Sequence, residues 1–317
     1  MKPSESLFYD VRGLRYHVRR WPGADARRMV LLHGWMDVSA SFQFLVDALA
    51  QDWDVYAPDW RGYGLTDWGK SDCYWFPDYL ADLDLLLERI QPELPVNLIG
   101  HSLGGNVAAL YAGVRPARIR RLVNLEGFGM AQTRPDQAPE RYARWLDELH
   151  HHGGFRPYAD FGALAARLQK NNPRLARPRA EFLARHWGRE LPDGRVLLRG
   201  DPAHKIINPV LYRFEETRAC WAQVSAPVLW VDAAESETLK RVGRVRELAA
   251  ELGQRDGRLP LKERYAEALA LADEAGASPA LNRKRAELEA EMSATERLIQ
   301  RRFLGGGATG GMQKTPG

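Results

Sequence analysis

Short apolar runs alternate with amphipathic segments along the first 235 residues of the chain. The runs end at glycine, proline or polar residues, which is typical of strands, and the segments between them repeat apolar residues at helical spacing, as at Tyr79, Leu83 and Leu86. Strands alternating with helices predict an α/β fold with a mostly parallel central sheet flanked by helices. The predicted strands are 7–11, 14–20, 29–32, 53–57, 95–99, 122–125 and 227–231.

Residues 128–220 interrupt this alternation. They contain helical patterns at 139–152, 161–170 and 179–188. A structureless loop of this length inside a compact domain is uncommon. We therefore predict a helical cap insertion at 128–220, between a first core part at 1–127 and a last recognisable core strand within 221–237.

The composition changes at Thr238. From there to the end, 15 Lys and Arg stand against 11 Asp and Glu, whereas all ten Trp and all eight His lie earlier in the chain. Such a shift marks a boundary. The pattern predicts an atypical charged helical region at 238–304 and a disordered glycine-rich tail at 305–317.

The bulk composition excludes several classes of protein. The net charge of +4 is small for 317 residues, and the basic residues of the tail are interspersed with acids, so no nucleic-acid partner is predicted. Two cysteines, Cys73 and Cys220, do not make a disulfide framework. The N-terminus has no signal-peptide pattern, and no apolar run reaches ~20 residues. These observations favour a cytoplasmic protein without a membrane span.

The most informative motif is Gly100-His101-Ser102-Leu103-Gly104, which follows a predicted strand and precedes a predicted helix. G-x-S-x-G in this context forms a nucleophile elbow, a sharp turn that lifts the serine hydroxyl above the sheet. Gly100 and Gly104 leave room for the neighbouring chain. We predict that Ser102 is a catalytic nucleophile.

Together with this elbow, the blocks His33-Gly34-Trp35 and Asp59-Trp60-Arg61-Gly62-Tyr63-Gly64 resemble the α/β-hydrolase superfamily in order and spacing. The resemblance covers about residues 7–236 and is closest to small capped members such as esterases.

The resemblance implies roles for residues outside the elbow. It implies that the backbone N–H groups of Trp35 and Leu103 form the oxyanion hole. It also implies that His33, Asp59 and Arg61 order loops and take no part in the chemistry.

The residue at the elbow indicates the type of reaction. Relatives that form an alkyl-aspartate intermediate carry Asp at the position of Ser102. A serine favours attack on a carboxylic ester, thioester or lactone of a small or medium acyl group, followed by hydrolysis of an acyl-enzyme. We therefore predict a small-molecule ester-type substrate, no cofactor and no metal.

Three residues are candidates for the acid of the triad. Glu126 follows the strand at 122–125, where some dehalogenase-like relatives place this acid, and we prefer it. Glu235 and Asp232 lie after the strand at 227–231, where the usual family position is occupied by Ser236.

The predicted triad has no histidine at the usual position of the general base. The fold orders its triad Ser, acid, His, yet no histidine follows His204. The alternatives within the cap are the run His150-His151-His152, His186 and, preferred among them, His204. The other interpretation is a catalytically impaired or non-catalytic relative that acts as a binding protein, with the C-terminal helices mediating self-association or binding a protein partner.

Overall fold

The computed structural model describes residues 1–70, 72–151 and 153–231. All seven strands predicted from the sequence are present and form one sheet. The strands in chain order are β1 (Glu5–Val11), β2 (Leu14–Trp21), β3 (Asp25–Leu32), β4 (Trp53–Pro58), β5 (Val96–His101), β6 (Ile119–Leu125), β7 (Gly188–Glu190), β8 (Val196–Leu198) and β9 (Val228–Val231).

The central sheet has the strand order β1-β2-β4-β3-β5-β6-β9. β3, β4, β5, β6 and β9 run parallel, whereas β2 pairs antiparallel both with β4 and with the edge strand β1. Arg12 and Gly13 join β1 to β2, and their φ angles are 53° and 75°. A two-residue turn whose twist matches that of the flanking strands requires positive φ at both positions. The predicted mostly parallel α/β architecture is confirmed.

Helices cover both faces of the sheet because successive residues of the inner strands point to opposite sides. Val30 and Leu32 pack into one apolar cluster with α2 and α3, whereas Met29 and Leu31 pack into a second with α1. The helices in chain order are α1 (Gln43–Ala48), α2 (Phe76–Ile90), α3 (Leu103–Val114), α4 (Ala138–His151), α5 (Phe161–Asn171), α6 (Arg177–Trp187) and α7 (Phe214–Trp221).

The segment between β6 and β9 contains the three helices predicted there, α4, α5 and α6. It has a small core of its own, which includes Leu164, Leu168 and Val196. The structure adds a two-stranded hairpin of β7 and β8, which the sequence analysis missed because strands of three residues are too short to show a period. α7 extends across the boundary predicted at residue 220 and packs on α3. The domain boundaries remain predictions.

The predicted region at 238–304 and the predicted tail at 305–317 lie outside the described residues. Within the described part of the chain, every helix is too short or too polar to cross a membrane.

Candidate active site

Backbone strain is concentrated at the carboxyl edge of the central sheet. In the described part of the chain, four residues other than glycine have positive φ: Arg12, Met36, Ser102 and Glu126. Arg12 belongs to the β1–β2 turn, but the other three follow the carboxyl ends of β3, β5 and β6, which are neighbours in the sheet. Strained residues of this kind cluster at functional sites. This edge is therefore the candidate active site.

Ser102 lies between β5 and α3 with φ 51° and ψ −113°. Its N–H donates to the carbonyl of Leu125 at 2.8 Å, and its own carbonyl accepts from the N–H of Asn106 at 2.9 Å. These two hydrogen bonds hold the turn against β6 and against the first turn of α3. The local geometry is that of a nucleophile elbow.

The two elbow glycines are required by close backbone contacts. A Cβ on Gly100 would lie 2.3 Å from the carbonyl oxygen of Gly104. A Cβ on Gly104 would lie 2.2 Å from the carbonyl oxygen of Leu32, in β3. Both positions therefore exclude a side chain, and the turn passes directly beside the end of β3.

The predicted oxyanion donors belong to two segments that meet at this turn. Leu103 is the first residue of α3, so its N–H is one of the four that an α-helix leaves without an intrahelical acceptor. Trp35 follows Gly34, and a Cβ on Gly34 would lie 3.4 Å from the Cβ of Ser102. The indole N–H of Trp35 donates to the carbonyl of His204 at 3.2 Å, which ties this turn to the segment that returns from the insertion.

Glu126 lies beside Ser102 at the neighbouring strand end. His101 of β5 and Leu125 of β6 are paired in register, so the residues that follow them, Ser102 and Glu126, leave the sheet side by side. The N–H of Glu126 donates to the carbonyl of Val231 at 2.9 Å, and φ is 57°. The two other candidates for the acid, Asp232 and Glu235, lie outside the described residues.

Two asparagines support the loop that carries Glu126. The side chain of Asn124 accepts from the N–H of Gly127 at 2.8 Å and donates to the carbonyl of Gly127 at 3.0 Å. The side-chain oxygen of Asn106 accepts from the N–H of Gly129 at 2.7 Å. Because Asn106 belongs to the first turn of α3, the loop after β6 and the elbow are held together.

His33 is a buried structural group. Its Nδ1 donates to the carbonyl of Gly34 at 2.8 Å, and its Nε2 accepts from the N–H of Trp60 at 2.9 Å. Burial lowers the pKa of this imidazole. Both ring nitrogens are engaged, in agreement with the structural role that the family resemblance implies.

Asp59 and Arg61 also order loops, as the resemblance implies. Asp59 accepts hydrogen bonds from the backbone N–H groups of Ser39 at 2.6 Å and Leu65 at 2.9 Å. Arg61 forms two hydrogen bonds with the fully buried carboxylate of Asp82, at 2.5 and 2.6 Å.

His204, the cap histidine preferred as a base, is held in a different role. Its ring is stacked between Tyr63 and Tyr74, with centroid distances of 3.8 and 3.7 Å. Nε2 donates to the carbonyl of Arg61 at 3.1 Å, and Nδ1 accepts from the hydroxyl of Tyr79 at 3.3 Å. Burial lowers its pKa to about 3. With both nitrogens engaged, this imidazole has no lone pair to accept a proton from Ser102.

The remaining cap histidines lie on α4 and α6. His150 and His151 are in the exposed last turn of α4, and His152 lies outside the described residues. His186, on α6, packs on Phe182 at a centroid distance of 4.5 Å. Burial, followed by the charge of Arg19, lowers the pKa of His186 to about 4. Within the described part of the chain, no group of three or more His, Cys, Asp or Glu side chains is arranged to hold a metal ion.

The sequence analysis assigned no role to His101, which lies next to Ser102. Its half-buried imidazole and the Cβ of Ser102 both lie against Gly34, at 3.0 Å and 3.4 Å from the position that a Cβ on this glycine would occupy. The signal was present in the sequence, because His101 is the second residue of the elbow motif itself. It was missed because the search for a base followed the usual chain order of the triad.

Comparison with known proteins agrees with this fold. Residues 27–256 match the family model described as the alpha/beta hydrolase fold, and the chain belongs to this family. A serine hydrolase-like protein of Danio rerio is 29% identical over 216 residues, which is 66% of this chain and 65% of that protein. The chain therefore spans slightly less than two thirds of the length of this relative.

Solved structures show the same architecture. A hypothetical protein of Pseudomonas aeruginosa PAO1 superposes with a TM-score of 0.68 at 26% identity, covering 90% of this chain and 98% of that one. The thioesterase domain from the curacin biosynthetic pathway superposes with a TM-score of 0.69 at 20% identity, covering 78% of this chain and 89% of that one. These similarities show the fold and the family of this chain.

Proposed function

We propose that this protein is a serine hydrolase in which Ser102 attacks the carbonyl of a carboxylic ester, thioester or lactone. The strained backbone of Ser102, between β5 and α3 at the carboxyl edge of the sheet, is the observation that carries this proposal. The name of the Danio rerio relative, a serine hydrolase-like protein, supports the same reaction class.

The proposed chemistry proceeds through an acyl-enzyme. The hydroxyl of Ser102 loses its proton and forms a bond to the carbonyl carbon, and the carbonyl oxygen becomes an oxyanion. The N–H groups of Trp35 and Leu103 stabilise this charge, an effect of ~10²–10³ in rate for a single donor. The alcohol or thiol then leaves, and water hydrolyses the acyl-Ser102 ester.

The position of its imidazole nominates His101 as the proton acceptor. Its Nδ1 and the Cβ of Ser102 both lie beside Gly34, at 3.0 and 3.4 Å from the position that a Cβ on this glycine would occupy. Three other described histidines, His17, His33 and His204, have both ring nitrogens hydrogen-bonded. Glu126, at the adjacent strand end, is the proposed acid that stabilises the imidazolium.

The decisive experiment is covalent labelling of Ser102 by a fluorophosphonate, read by mass spectrometry, together with hydrolysis of p-nitrophenyl esters of increasing acyl length. We expect an adduct on Ser102 and turnover that disappears in Ser102→Ala. An intact, cooperatively folded protein that carries no adduct on Ser102 at any pH would exclude the proposal.

A second candidate function is binding without catalysis. It is favoured by one observation: within the described residues, no imidazole is hydrogen-bonded to the hydroxyl of Ser102. In that case Ser102→Ala should leave every biological effect of the protein unchanged. The labelling experiment separates the two candidates, because a binding protein has no activated serine at the elbow.

A further inference from the structure

A second serine lies in a hydrogen-bonded relay outside the elbow. The hydroxyl of Ser6, on β1, is 2.9 Å from Nε2 of His17, on β2. Nδ1 of His17 is 2.7 Å from a carboxylate oxygen of Asp59, which follows β4. The atoms are therefore connected in the order hydroxyl, Nε2, Nδ1 and carboxylate, which is the order in a Ser-His-Asp triad.

The carboxylate end of this relay is ionised and held in place. Burial by itself would raise the pKa of Asp59, but the hydrogen bond from His17 and the backbone N–H donors outweigh it, and the pKa lies well below its usual range. Oδ1 accepts from the N–H of Ser39, and Oδ2 accepts from the N–H of Leu65. An ionised Asp59 keeps a proton on Nδ1 of His17, so in neutral His17 the lone pair of Nε2 faces Ser6.

Burial separates the two ends of the relay. His17 is 0% exposed and Asp59 is 2% exposed, whereas Ser6 is an exposed residue on the edge strand of the sheet. Water is thereby excluded from the imidazole and the carboxylate, which strengthens their interaction. A reagent in solution can still reach the hydroxyl of Ser6.

A guanidinium lies beside the same hydroxyl. Arg19 is directly opposite Ser6 in the register of β1 and β2, and side chains opposite each other in an antiparallel pair lie on the same face. Its Nη1 donates to the hydroxyl of Ser4 at 2.8 Å, and its buried Nε has no hydrogen-bond partner. Within the described residues, Arg19 forms no ion pair, so its charge is available to an anion that develops at Ser6.

We propose that Ser6, His17 and Asp59 form a second nucleophilic centre, with Arg19 stabilising the developing anion, and that it takes small activated esters and organophosphonates from solution. With a phosphonofluoridate, the hydroxyl of Ser6 forms the O–P bond, the P–F bond breaks, fluoride leaves and the proton passes to Nε2 of His17. With an aryl ester, Ser6 is acylated once, the leaving phenolate takes this proton from His17, and the acyl group stays on Ser6, so this centre adds no turnover to that of Ser102.

The test is site-resolved labelling with a fluorophosphonate on the full-length Ser102→Ala protein. Ser4 and Ser6 lie in the same N-terminal tryptic peptide, so fragment ions report both serines in a single molecule. Ser4 is the matched control because its hydroxyl contacts Arg19 and not an imidazole. We expect labelling of Ser6 to exceed that of Ser4 by ~10²-fold, the lower end of the range for general-base assistance. Equal labelling of the two serines would overturn the proposal and assign the relay a structural role only.

A second pair of variants tests the relay without altering the buried residues. Ser6→Cys and Ser4→Cys place thiols at the two positions, and an adjacent imidazole that accepts the proton should raise the rate of alkylation by iodoacetamide for Ser6→Cys. We expect this difference to disappear in urea, where the relay is broken. A rate for Ser6→Cys that is no higher than that for Ser4→Cys would contradict the proposal. Neither result depends on Ser102, so failure here is distinguishable from failure of the proposed function.

Discussion

The elbow and the β1–β2 hairpin each contain a serine, and the two serines differ in their backbone conformation and in the contacts of their hydroxyl groups. Ser102 has a strained backbone, with φ 51°, at the N-terminus of α3. Ser6 lies in regular strand, yet its hydroxyl contacts an imidazole that is hydrogen-bonded to a buried carboxylate. A strained backbone at a helix N-terminus and a hydrogen bond from the serine hydroxyl to an imidazole are thus found at different places in the described part of this molecule.

This difference shows that the two features have separate structural origins. The strain at Ser102 is imposed by the local connection from strand to helix, with Gly100 and Gly104 permitting the close contacts. The relay at Ser6 depends on side chains from three separate segments of the chain, which the sheet register brings together.

Removing each hydroxyl in turn is the most direct test of the roles of the two serines. We expect Ser102→Ala to lower kcat/KM for p-nitrophenyl esters at least ~10³-fold, because the hydroxyl forms the covalent intermediate. Ser6→Ala should leave most of the activity. The measurement is steady-state hydrolysis by the two variants. If Ser6→Ala removed the activity and Ser102→Ala did not, the roles assigned to the two serines would be reversed.

The next variant tests the acid assigned to the elbow. Glu126→Gln keeps the shape of the side chain but removes the charge that would stabilise an imidazolium, and in a triad this change lowers kcat by up to about 10⁴-fold. Stopped-flow or steady-state measurement of kcat gives the effect. Glu88→Gln, an exposed position on α2, is the control. An unchanged kcat for Glu126→Gln would transfer the role to Asp232 or Glu235.

His101→Gln tests the base nominated for Ser102. Loss of a general base lowers the rate of acylation by ~10²–10⁴-fold, so labelling of Ser102 by a fluorophosphonate should slow at least ~10²-fold. The control is His151→Gln, at the exposed end of α4. Labelling of Ser102 in His101→Gln at the wild-type rate would exclude this residue as the proton acceptor.

Two glycine variants compare how well the backbone of the elbow and that of the β1–β2 turn tolerate a Cβ. Gly104→Ala places a Cβ 2.2 Å from the carbonyl oxygen of Leu32, and overpacking of this kind destabilises a protein by ~1–3 kcal/mol. Gly13, with φ 75° in the β1–β2 turn, has open space around it, so Gly13→Ala should lower stability by only ~1 kcal/mol through backbone strain. Urea unfolding of both variants measures the difference. Equal losses of stability would show that the elbow relaxes around the added methyl group.

The smallest expected effect is the pH dependence of stability that arises from the buried imidazole of His204. The pKa of His204 is about 3 in the folded protein, against an ordinary value of 6.5, so below pH 6.5 the unfolded state binds a proton that the folded state does not. Stability should therefore fall as pH decreases from 6.5 towards 3, by about 1 kcal/mol from this group at pH 5.5. Unfolding free energies at pH 7.5 and 5.5 measure this loss. A His204→Gln variant with the same loss would assign it to other groups.

Local patterns in the sequence determined the sheet and the elbow. The apolar runs predicted the inner strands of the central sheet, because burial on both faces leaves a signal within a few consecutive residues. The hairpin of β7 and β8 was missed because each strand has only three residues. The G-x-S-x-G pattern identified Ser102 because strand, turn and helix are contiguous in the chain.

The contacts of the histidines depend on the assembled fold and could not be predicted from the sequence. His204 was the preferred cap histidine, but the fold places its ring between two tyrosines with both nitrogens engaged. The relay of Ser6, His17 and Asp59 left no trace in the sequence, because its members are separated by 11 and 42 residues and meet through the pairing of β1, β2 and β4. A strand register is set by packing of the whole sheet, so side-chain contacts between strands emerge only when the sheet is assembled.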